Sequence, residues 1–533
     1  MASARARTRS KLRPVSWKDE VDGIEARRRA ASELGGADNV ERQHQAGRLT
    51  VRERIDALLD RGSFREQGGI AGYAEQNADG TLERFTPANY VLGFGKIEGR
   101  PVIVGGEDFT LRGGSPTAAG NRKSVALEEL ACSYQLPMIR LLEGGGGSVA
   151  PPPKGAPRAD AGSSAESAPR FLSIMRAMAQ APVVSAALGA VAGMPAARLV
   201  ASHLSLMTET TSQVLVGGPA LVERALGLKL DKQELGGPDV HLKSGVVDNV
   251  AVDERAVFEQ VRRFLSYLPT NIQQRAPVVA CSDPPSRCEE ELLSIVPRER
   301  RRAYKMRRIL ELTLDRDSLF EVAPRYGRTQ ITALARVNGQ PVGVIANDPY
   351  FYAGSMTADG AQKVRRFIDT CDTFGLPIVS FVDEPGFMIG LDAEKSATIR
   401  HGVALMFAVM QSSVPWISVI VRKVYGVAGG AHFGPGGMRV AWPSAEQGAL
   451  PVEGGVAVAF RREIAAAPDP EARRRELEDV LHAARSPFGA AEGYGVHDMI
   501  DPRDTRPVLC DWVEMIQARL EAPRGVRGYS YRP

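Results

Sequence analysis

The segment Ile97-Glu98-Gly99-Arg100-Pro101-Val102 decides the fold, because it returns 240 residues later (339 − 99) as Val337-Asn338-Gly339-Gln340-Pro341-Val342. More residue types match at this shift: Asp108 with Asp348, Gly114-Ser115 with Gly354-Ser355, Lys123 with Lys363, Leu136-Pro137 with Leu376-Pro377, and the acids Glu143 and Asp383. Shared helix or strand periodicity would not place Gly-Ser, Lys and Leu-Pro together, so the chain contains an internal repeat.

Each half of the repeat follows the same pattern. A β-run leads into a glycine-rich loop and a helix, Leu-Pro then opens a second apolar strand, and a third strand follows. The predicted strands are 101–105, 138–142 and 182–188 in the first half and 341–346, 378–382 and 415–421 in the second, with helices at 121–134 and 361–374. Strands that alternate with helices indicate βαβ units. We therefore predict an α/β fold with two homologous domains.

The join between the domains is predicted at 268–285, where prolines interrupt regular structure: Pro269, Pro277, Pro284 and Pro285. We expect an N-terminal arm at 1–40 and domains at 41–270 and 271–533. The Arg- and Ser-rich start of the chain fits a disordered arm or, alternatively, a transit peptide. Residues 150–168, rich in Pro, Ala, Gly and Ser, predict a long loop in the first domain.

Composition limits the classes of partner. A net charge of +4 over 533 residues gives no reason to expect nucleic acid. No apolar run reaches the length of a membrane span, so we do not expect a membrane partner. The five cysteines are odd in number and contain no CxxC pair, which predicts neither a disulfide framework nor a metal site. They fit a cytoplasmic location, with the mitochondrial matrix as the alternative.

Two glycine clusters follow predicted strands, at 143–148 and 425–431. Glycine lets backbone N–H groups approach a ligand, and paired N–H groups can bind an oxyanion. The sequence has no phosphate-binding P-loop, no dinucleotide fingerprint and no GxSxG nucleophile motif, and its seven histidines form no pair at ligand spacing. An enzyme rich in such loops but without an evident nucleophile or metal suggests enolate chemistry, in which the base can belong to a cofactor.

From about residue 45 to residue 507, the sequence resembles the carboxyltransferase β subunits of propionyl-CoA and methylcrotonoyl-CoA carboxylases. The segments that carry the resemblance are 47–55 (GRLTVRERI), 108–115 (DFTLRGGS), 233–237 (QELGG) with His241 and Ser244-Gly245, 381–387 (FVDEPGF), 399–402 (IRHG), 421–426 (VRKVYG) and 441–446 (AWPSAE).

The resemblance implies two crotonase-like (ClpP/crotonase) domains and an enzyme that moves a carboxyl group from carboxybiotin to the α or vinylogous carbon of an acyl-CoA. It implies acyl-CoA on the N-terminal domain of one subunit and biotin on the C-terminal domain of a partner, within a homo-oligomer that the resemblance predicts to be a hexamer. Biotin is expected on a separate carrier, delivered by a biotin carboxylase and carrier subunit. The nearest match to a biotin attachment site, Tyr304-Lys305-Met306, lacks the first methionine.

Site residues follow from the same resemblance. Two backbone oxyanion holes are implied, one at Gly145-Gly146 and the other at Val427-Ala428. Contacts to the cofactor or acyl-CoA are implied at Phe109, Thr110, Gly113, Gly114, Ser115, Lys123, Gly426, Gly429 and Gly430. No metal ligand is implied.

The sequence departs from the family at three places. The first loop usually reads Asp-Ser-Gly-Gly-Ala-Arg, whereas here residues 143–148 read EGGGGS. The usual Gly-Gly-Ala after the next strand is replaced at 193–196 by GMPA, and Pro195 has no N–H to donate. Gly430 stands where propionyl relatives commonly have an Asp, which predicts a wider acyl pocket unless Phe433 or another neighbour fills it.

Two alternatives to the carboxylase remain open. One is the matching subunit of a biotin-dependent acyl-CoA decarboxylase, which runs the reverse chemistry. The other is a non-catalytic scaffold that keeps the fold but has lost the N-terminal site, as the altered loops suggest. The sequence does not identify the acyl group.

Overall fold

The computed structural model describes residues 16–146, 168–300, 302–483 and 486–521. Three predicted parts of the chain lie outside the described residues. They are residues 1–15 of the predicted arm, Gly147 and Ser148 of the first glycine loop, and residues 150–167 of the loop predicted at 150–168. The remainder of the predicted arm is helical from Lys18 onward.

The strands of the described part are β1 Arg65–Gln67, β2 Gly72–Gln76, β3 Leu82–Pro87, β4 Tyr90–Ile97, β5 Arg100–Glu107, β6 Met138–Gly144, β7 Val183–Ala192, β8 Leu204–Thr208, β9 Gln213–Leu215, β10 Asn249–Ala251, β11 Phe320–Glu321, β12 Gln330–Val337, β13 Gln340–Asn347, β14 Ile378–Glu384, β15 Trp416–Tyr425, β16 Met438–Ala441, β17 Glu446–Gly448 and β18 Asp498–Met499.

Its α-helices are α1 Lys18–Ser32, α2 Ala37–Gln45, α3 Val51–Leu58, α4 Ala118–Tyr134, α5 Ala168–Met178, α6 Met194–Val200, α7 Pro219–Leu226, α8 Lys232–Gly236, α9 Pro238–Ser244, α10 Glu254–Ser266, α11 Met306–Thr313, α12 Ala358–Phe374, α13 Leu391–Lys395, α14 Thr398–Gln411, α15 Gly426–Gly429, α16 Val452–Ala459, α17 Arg461–Ala466, α18 Pro470–Ala483, α19 Gly489–Glu492, α20 Thr505–Met515 and α21 Gln517–Glu521. Short 3-10 helices lie at Arg112–Gly114, Glu290–Leu293, Tyr352–Gly354, Gly430–His432 and Pro502–Asp504. Within the described ranges, none of these helices is both long and apolar enough to span a bilayer.

Two sheets of the same design confirm the α/β fold with two similar halves. The first has the order β1-β4-β5-β6-β7-β8-β10, and the second has β11-β12-β13-β14-β15-β16-β18. The first connections of each sheet are antiparallel, and those from β5 and β13 onward are parallel. Even the register repeats, because Ile103 pairs with Met138 and, 240 residues later, Gly343 pairs with Ile378.

Matching caps define the long helix of each half. Thr117 and Thr357 each accept a hydrogen bond from the backbone N–H of a glycine three residues on, at 3.0 Å, which satisfies a donor that the helix leaves unpaired. These caps start α4 and α12 three residues before the predicted helices. Both helices end at a left-handed residue, Gln135 and Gly375.

One of the buried apolar clusters and several polar links join the two halves. Phe258 and Phe264 of α10 belong to the same buried cluster as Phe320 and Leu334 of the second half. The Asn249 amide joins the sheet edges, since it donates to the Glu321 carbonyl (3.0 Å) and accepts the Ala323 N–H (2.9 Å). The exact domain boundary at 270/271 stays a prediction.

Candidate active site

The predicted glycine loops lie where parallel strands end. Gly145 and Gly146 follow β6, and Gly426 follows β15. The carboxyl ends of parallel strands share one edge of a sheet, which is where open α/β sheets bind ligands. The fold therefore brings each glycine cluster to a ligand-binding edge.

The second-half loop presents backbone donors. Gly426, with φ of 62°, turns the chain from β15 into α15. The N–H groups of Val427 and Ala428 belong to the first turn, where a helix supplies no acceptor. The Val427 side chain is 65% exposed, whereas Ala428 is buried. This arrangement suits binding of an anionic oxygen by the backbone.

Side chains of neighbouring elements fill the space behind this loop. A Cβ at Gly430 would lie 2.7 Å from Cε of Met406 in α14, and one at Gly429 would lie 2.7 Å from Cγ2 of Val424. Met406 therefore occupies the space next to the Cα of Gly430, which is the alternative in which a neighbour fills it, and the width of the acyl pocket stays a prediction.

The first-half loop packs against two other segments. Gly145 directs its N–H to the Gly113 carbonyl oxygen at 3.4 Å, so this predicted donor already has a protein acceptor. Ser115 Oγ would lie 3.7 Å from a Cβ at Gly145. Gly146 approaches Gly193, with 3.8 Å from its ideal Cβ position to Gly193 Cα. The structure thus brings together predicted site residues of 113–115 and 145–146 and adds Gly193.

The repeat shows which first-half residues correspond to Val427-Ala428. Strands β7 and β15 superpose at a shift of 233 (426 − 193), which places Gly193, with φ of 65°, opposite Gly426, with φ of 62°. Met194 and Pro195 are then the counterparts of Val427 and Ala428. The predicted pair Gly145-Gly146 corresponds instead to Pro385-Gly386 at the shift of 240 (385 − 145). Pro195 removes one of the two donors at the first-half position.

Sequence reasoning missed a buried clamp on Glu143, the residue that begins the first glycine loop. Its carboxylate accepts hydrogen bonds from Gln43, Arg48 and Arg54, each at 2.6 Å. Arg54 also donates to Glu254 at 2.7 and 2.9 Å. Burial alone would lower the pKa of Arg54, but the two carboxylates raise it above its usual range. The match of Glu143 with Asp383 in the repeat was the available signal for an anchored acid.

Three other predicted contacts are engaged within the protein. The Arg48 guanidinium lies over the Phe109 ring, 5.1 Å from its centroid. The Thr110 hydroxyl donates to Asp108 and accepts the Gly35 N–H at 2.9 Å.

The Lys123 ammonium donates to the Gly68 carbonyl at 3.1 Å, and burial lowers the pKa of Lys123 to about 8. Its repeat partner Lys363 likewise donates to the carbonyls of Tyr326 and Gln330. Both lysines therefore bind backbone carbonyl oxygens. A ligand phosphate at Lys123 would compete with the Gly68 carbonyl for the ammonium group.

Comparison with known proteins places this arrangement among carboxyl transferases. Residues 42–526 match the family described as "Carboxyl transferase domain". The carboxyltransferase subunit of propionyl-CoA carboxylase from Haloferax mediterranei is 33% identical over 519 residues, covering 95% of this chain and 98% of that protein. Methylmalonyl-CoA decarboxylase subunit alpha from Propionigenium modestum is 31% identical over 492 residues, covering 91% and 94%.

A solved structure shows the same likeness. The hexameric transcarboxylase 12S with methylmalonyl-coenzyme A and methylmalonic acid bound has a TM-score of 0.85 and 30% identity, and the match covers 98% of this chain and 99% of that one.

Proposed function

The chain belongs to the carboxyl transferase family, and on that premise we propose that it is the carboxyltransferase component of a biotin-dependent acyl-CoA carboxylase. It exchanges a carboxyl group between an acyl-CoA and biotin carried on a separate protein. The observation that carries this proposal is the family match over 42–526, together with relatives of the same activity that align over nearly their whole length. The alternative of a non-catalytic scaffold receives no support from these relatives.

The backbone of the two loops is assigned the main chemical role. Carboxybiotin, when bound, would supply the carboxyl group as CO2, and the biotin left behind would accept the α-proton of the acyl thioester. On the biotin side, the N–H groups of Val427 and Ala428 hold the developing oxyanion, and Gly426 gives the turn its shape. Each such donor is worth roughly 3–4 kcal/mol of transition-state stabilisation. The exposed Val427 edge leaves the loop open to a biotin delivered from outside the chain.

On the acyl side, Gly145-Gly146 remains the proposed oxyanion pair, with the Met194 N–H beside it as a further donor. Gly145 has to exchange its 3.4 Å bond to Gly113 for the substrate oxygen, whereas Met194 lies in the first turn of α6. Glu143 fixes the start of this loop through Arg48 and Arg54. The turn 113–115 lines the same site, in agreement with contacts to acyl-CoA there.

A hexamer is proposed for the assembly, because the similar transcarboxylase 12S is a hexamer, and the active sites are proposed to lie between subunits. A surface of this chain fits such an interface. Helix α14 exposes an apolar stripe at positions i, i+4, i+8 and i+11, made of Ile399, Val403, Phe407 and Met410. Unpaired apolar stripes of this kind mark protein interfaces. A biotin carboxylase and carrier subunit complete the enzyme in this proposal.

A decarboxylase is the second candidate for the direction of the reaction. It is favoured by one observation, the 31% identity to methylmalonyl-CoA decarboxylase subunit alpha, which is close to the 33% of the carboxylase subunit. Both candidates use the same exchange of a carboxyl group with biotin. The propionyl and methylmalonyl relatives favour a short acyl chain, and Met406 behind Gly430 is consistent with a short chain.

The test of the function is carboxyl transfer from methylmalonyl-CoA to biocytin by the purified chain, measured as formation of propionyl-CoA. A panel of acetyl-, propionyl-, methylcrotonoyl- and octanoyl-CoA with the carboxylated carrier then identifies the acyl group. We expect turnover that requires biocytin, with the highest kcat/KM on a short acyl chain. The proposal would be refuted if the chain binds acyl-CoA but shows no biocytin-dependent turnover with any acyl-CoA of the panel or with the corresponding carboxylated acyl-CoA.

A further inference from the structure

A polar cluster lies fully buried beneath the second-half loop. His432, which ends the turn that follows α15, places its ring between Ser380 of β14 and Glu384 at the end of the same strand. The Nδ1 atom is 3.1 Å from Ser380 Oγ, and Nε2 is 3.4 Å from Glu384 Oε2. A carboxylate can only accept, so Nε2 carries a hydrogen, and in the neutral imidazole Nδ1 then accepts from the serine hydroxyl.

The order serine, histidine, acid is that of a nucleophilic triad, but burial excludes that role. All three residues have no exposed surface. No substrate carbonyl can reach Ser380, so the three side chains act on the protein itself.

The cluster anchors the end of the biotin-side loop. The loop begins where β15 ends at Tyr425, and it ends at His432, whose carbonyl accepts from Trp416 Nε1 (2.9 Å) and Ser418 Oγ (2.6 Å). The His432 side chain is anchored as well, because its imidazole ring contacts Ser380 and Glu384. The backbone of Val427 and Ala428 therefore lies between the end of strand β15 and the anchored His432.

Glu384 extends the cluster to the neighbouring loops. Its carboxylate accepts the N–H of Gly386 (2.9 Å) and of Met356 (3.2 Å), and the Asn347 amide (3.0 Å). One buried carboxylate thus fixes the chain after β14 and the turn before α12, while it also contacts the histidine. An acceptor with this many donors loses them together when its charge or shape changes.

The first half of the repeat forms the same fold without this cluster. Arg140 corresponds to Ser380 and Gly144 to Glu384 at the shift of 240, and Leu199 corresponds to His432 at the shift of 233. There, Arg140 donates to the carbonyls of Arg198 and Ala201 at 2.9 and 3.0 Å, behind α6. The fold alone therefore does not require Ser380, His432 and Glu384. Because they lie under the second-half loop only, they point to a function of that loop.

We propose that Ser380, His432 and Glu384 are positioning residues for the biotin-side loop, and that they hold the Val427 and Ala428 N–H groups where the oxyanion forms. The role in turnover rests on the proposed function, whereas the effect on the loop does not. Two independent readouts therefore test the positioning of the loop separately from the proposed function.

The variants are His432→Leu, His432→Gln and Glu384→Gln in the full chain, with Val379→Ala as the matched control. Val379 neighbours Ser380 in β14, but successive strand residues face opposite sides, and its side chain lies in a different buried cluster. The first readout is hydrogen exchange of the amides at 425–433. The second is transfer from methylmalonyl-CoA to biocytin, with KM determined for each substrate.

His432→Leu should speed exchange of the loop amides by about tenfold or more, and should lower kcat about 10- to 100-fold, the scale of a misplaced reacting group. KM for biocytin should rise while KM for methylmalonyl-CoA stays within about twofold, since the acyl group binds the other half. His432→Gln, which keeps one donor, should lie between. Glu384→Gln should loosen 385–388 as well.

The proposal would be overturned if the loop amides of His432→Leu and Glu384→Gln exchange within twofold of the wild-type rate. It would also be overturned if Val379→Ala speeds exchange of these amides as much as the other variants do. If His432→Leu does not fold, the same criteria apply to His432→Gln. A wild type without turnover refutes the proposed function only, and the exchange rates then decide the positioning role by themselves.

Discussion

Replacing Ala428 by proline tests the oxyanion role of the biotin-side loop most directly. The residue lies in the first turn of α15, so its N–H has no helical acceptor to lose. The chain itself contains the precedent, because Pro195 stands at the corresponding place at the start of α6. The substitution therefore removes a donor from the site with the least damage to the helix.

The expected magnitude follows from the two costs. Loss of one preorganised donor costs about 2.7–4 kcal/mol of transition-state stabilisation, or roughly 10²–10³ in kcat. The ring adds two carbons at a buried position, and such overpacking costs about 1–3 kcal/mol of stability. Val427 is also disfavoured in its helical conformation before a proline. Activity and stability losses are separate measurements, so the two costs can be told apart.

The assay is transfer from methylmalonyl-CoA to biocytin at saturating concentrations, alongside thermal unfolding of the same preparations. Val427→Ala is the companion variant, since it trims an exposed side chain but keeps the N–H. Its kcat should fall by less than about fivefold, because no donor is lost. A folded Ala428→Pro enzyme with more than a tenth of wild-type kcat would refute the oxyanion role, and so would equal losses in both variants.

Three further predictions concern the acyl side, a buried lysine and the link between halves. Pro195→Ala restores an N–H at the start of α6 and should raise kcat on methylmalonyl-CoA, by up to about 10² if that donor meets the oxyanion; no increase in the folded variant counts against a site there. Burial lowers the pKa of Lys363 from 10.5 to about 8, so the unfolded chain binds more protons between these values and stability gains with rising pH. Relative to Lys363→Met, the wild type should gain up to roughly 3 kcal/mol in unfolding free energy from pH 8 to 10.5, and a pH-independent difference in denaturant titrations contradicts this. Arg366→Met leaves the buried Asp248 without its partly buried cation across the two halves; the unfolding free energy in denaturant should drop by about 1.5–3 kcal/mol, the scale of hydrogen bonds to a charged group, and a loss below about 0.5 kcal/mol would contradict a stabilising role of this pair.

The sequence predicts the elements well because their signals are local or repeated. Strands predicted at 138–142 and 378–382 are found as β6 Met138–Gly144 and β14 Ile378–Glu384. The strand predicted at 182–188 is observed as β7 Val183–Ala192, four residues longer at its carboxyl end, because the pairing with β9 continues beyond the apolar run. Helices α4 and α12 begin three residues before the predicted starts, because Thr117 and Thr357 cap them and hydrophobic periodicity does not detect a cap.

The site was harder to predict because its contacts join distant parts of the chain. The repeat matched Lys123 with Lys363, but a shared residue type does not tell what an ammonium group touches, and both hold carbonyl oxygens. Glu143 meets Gln43 across 100 residues of sequence. Ser380 meets His432 across 52. Such pairs are set by the sheet order, which no local pattern contains.

The two halves of the chain differ most where the proposed chemistry takes place. Both enter their short helix through a glycine with nearly the same positive φ, 65° at Gly193 and 62° at Gly426, so the backbone turn has been kept. Two residues later one half has proline and the other alanine, which changes the number of N–H donors without changing the path of the chain. The supports beneath differ as well, an arginine bonded to helix carbonyls in one half and a buried Ser-His-Glu cluster in the other. Since the fold tolerates either version, we infer that these differences serve the two different substrates of the proposed reaction. At this turn the first half offers one amide donor fewer, so we expect the acyl site to draw donors from Gly145-Gly146 of the neighbouring loop as well, whereas the biotin site uses Val427 and Ala428 of a single turn.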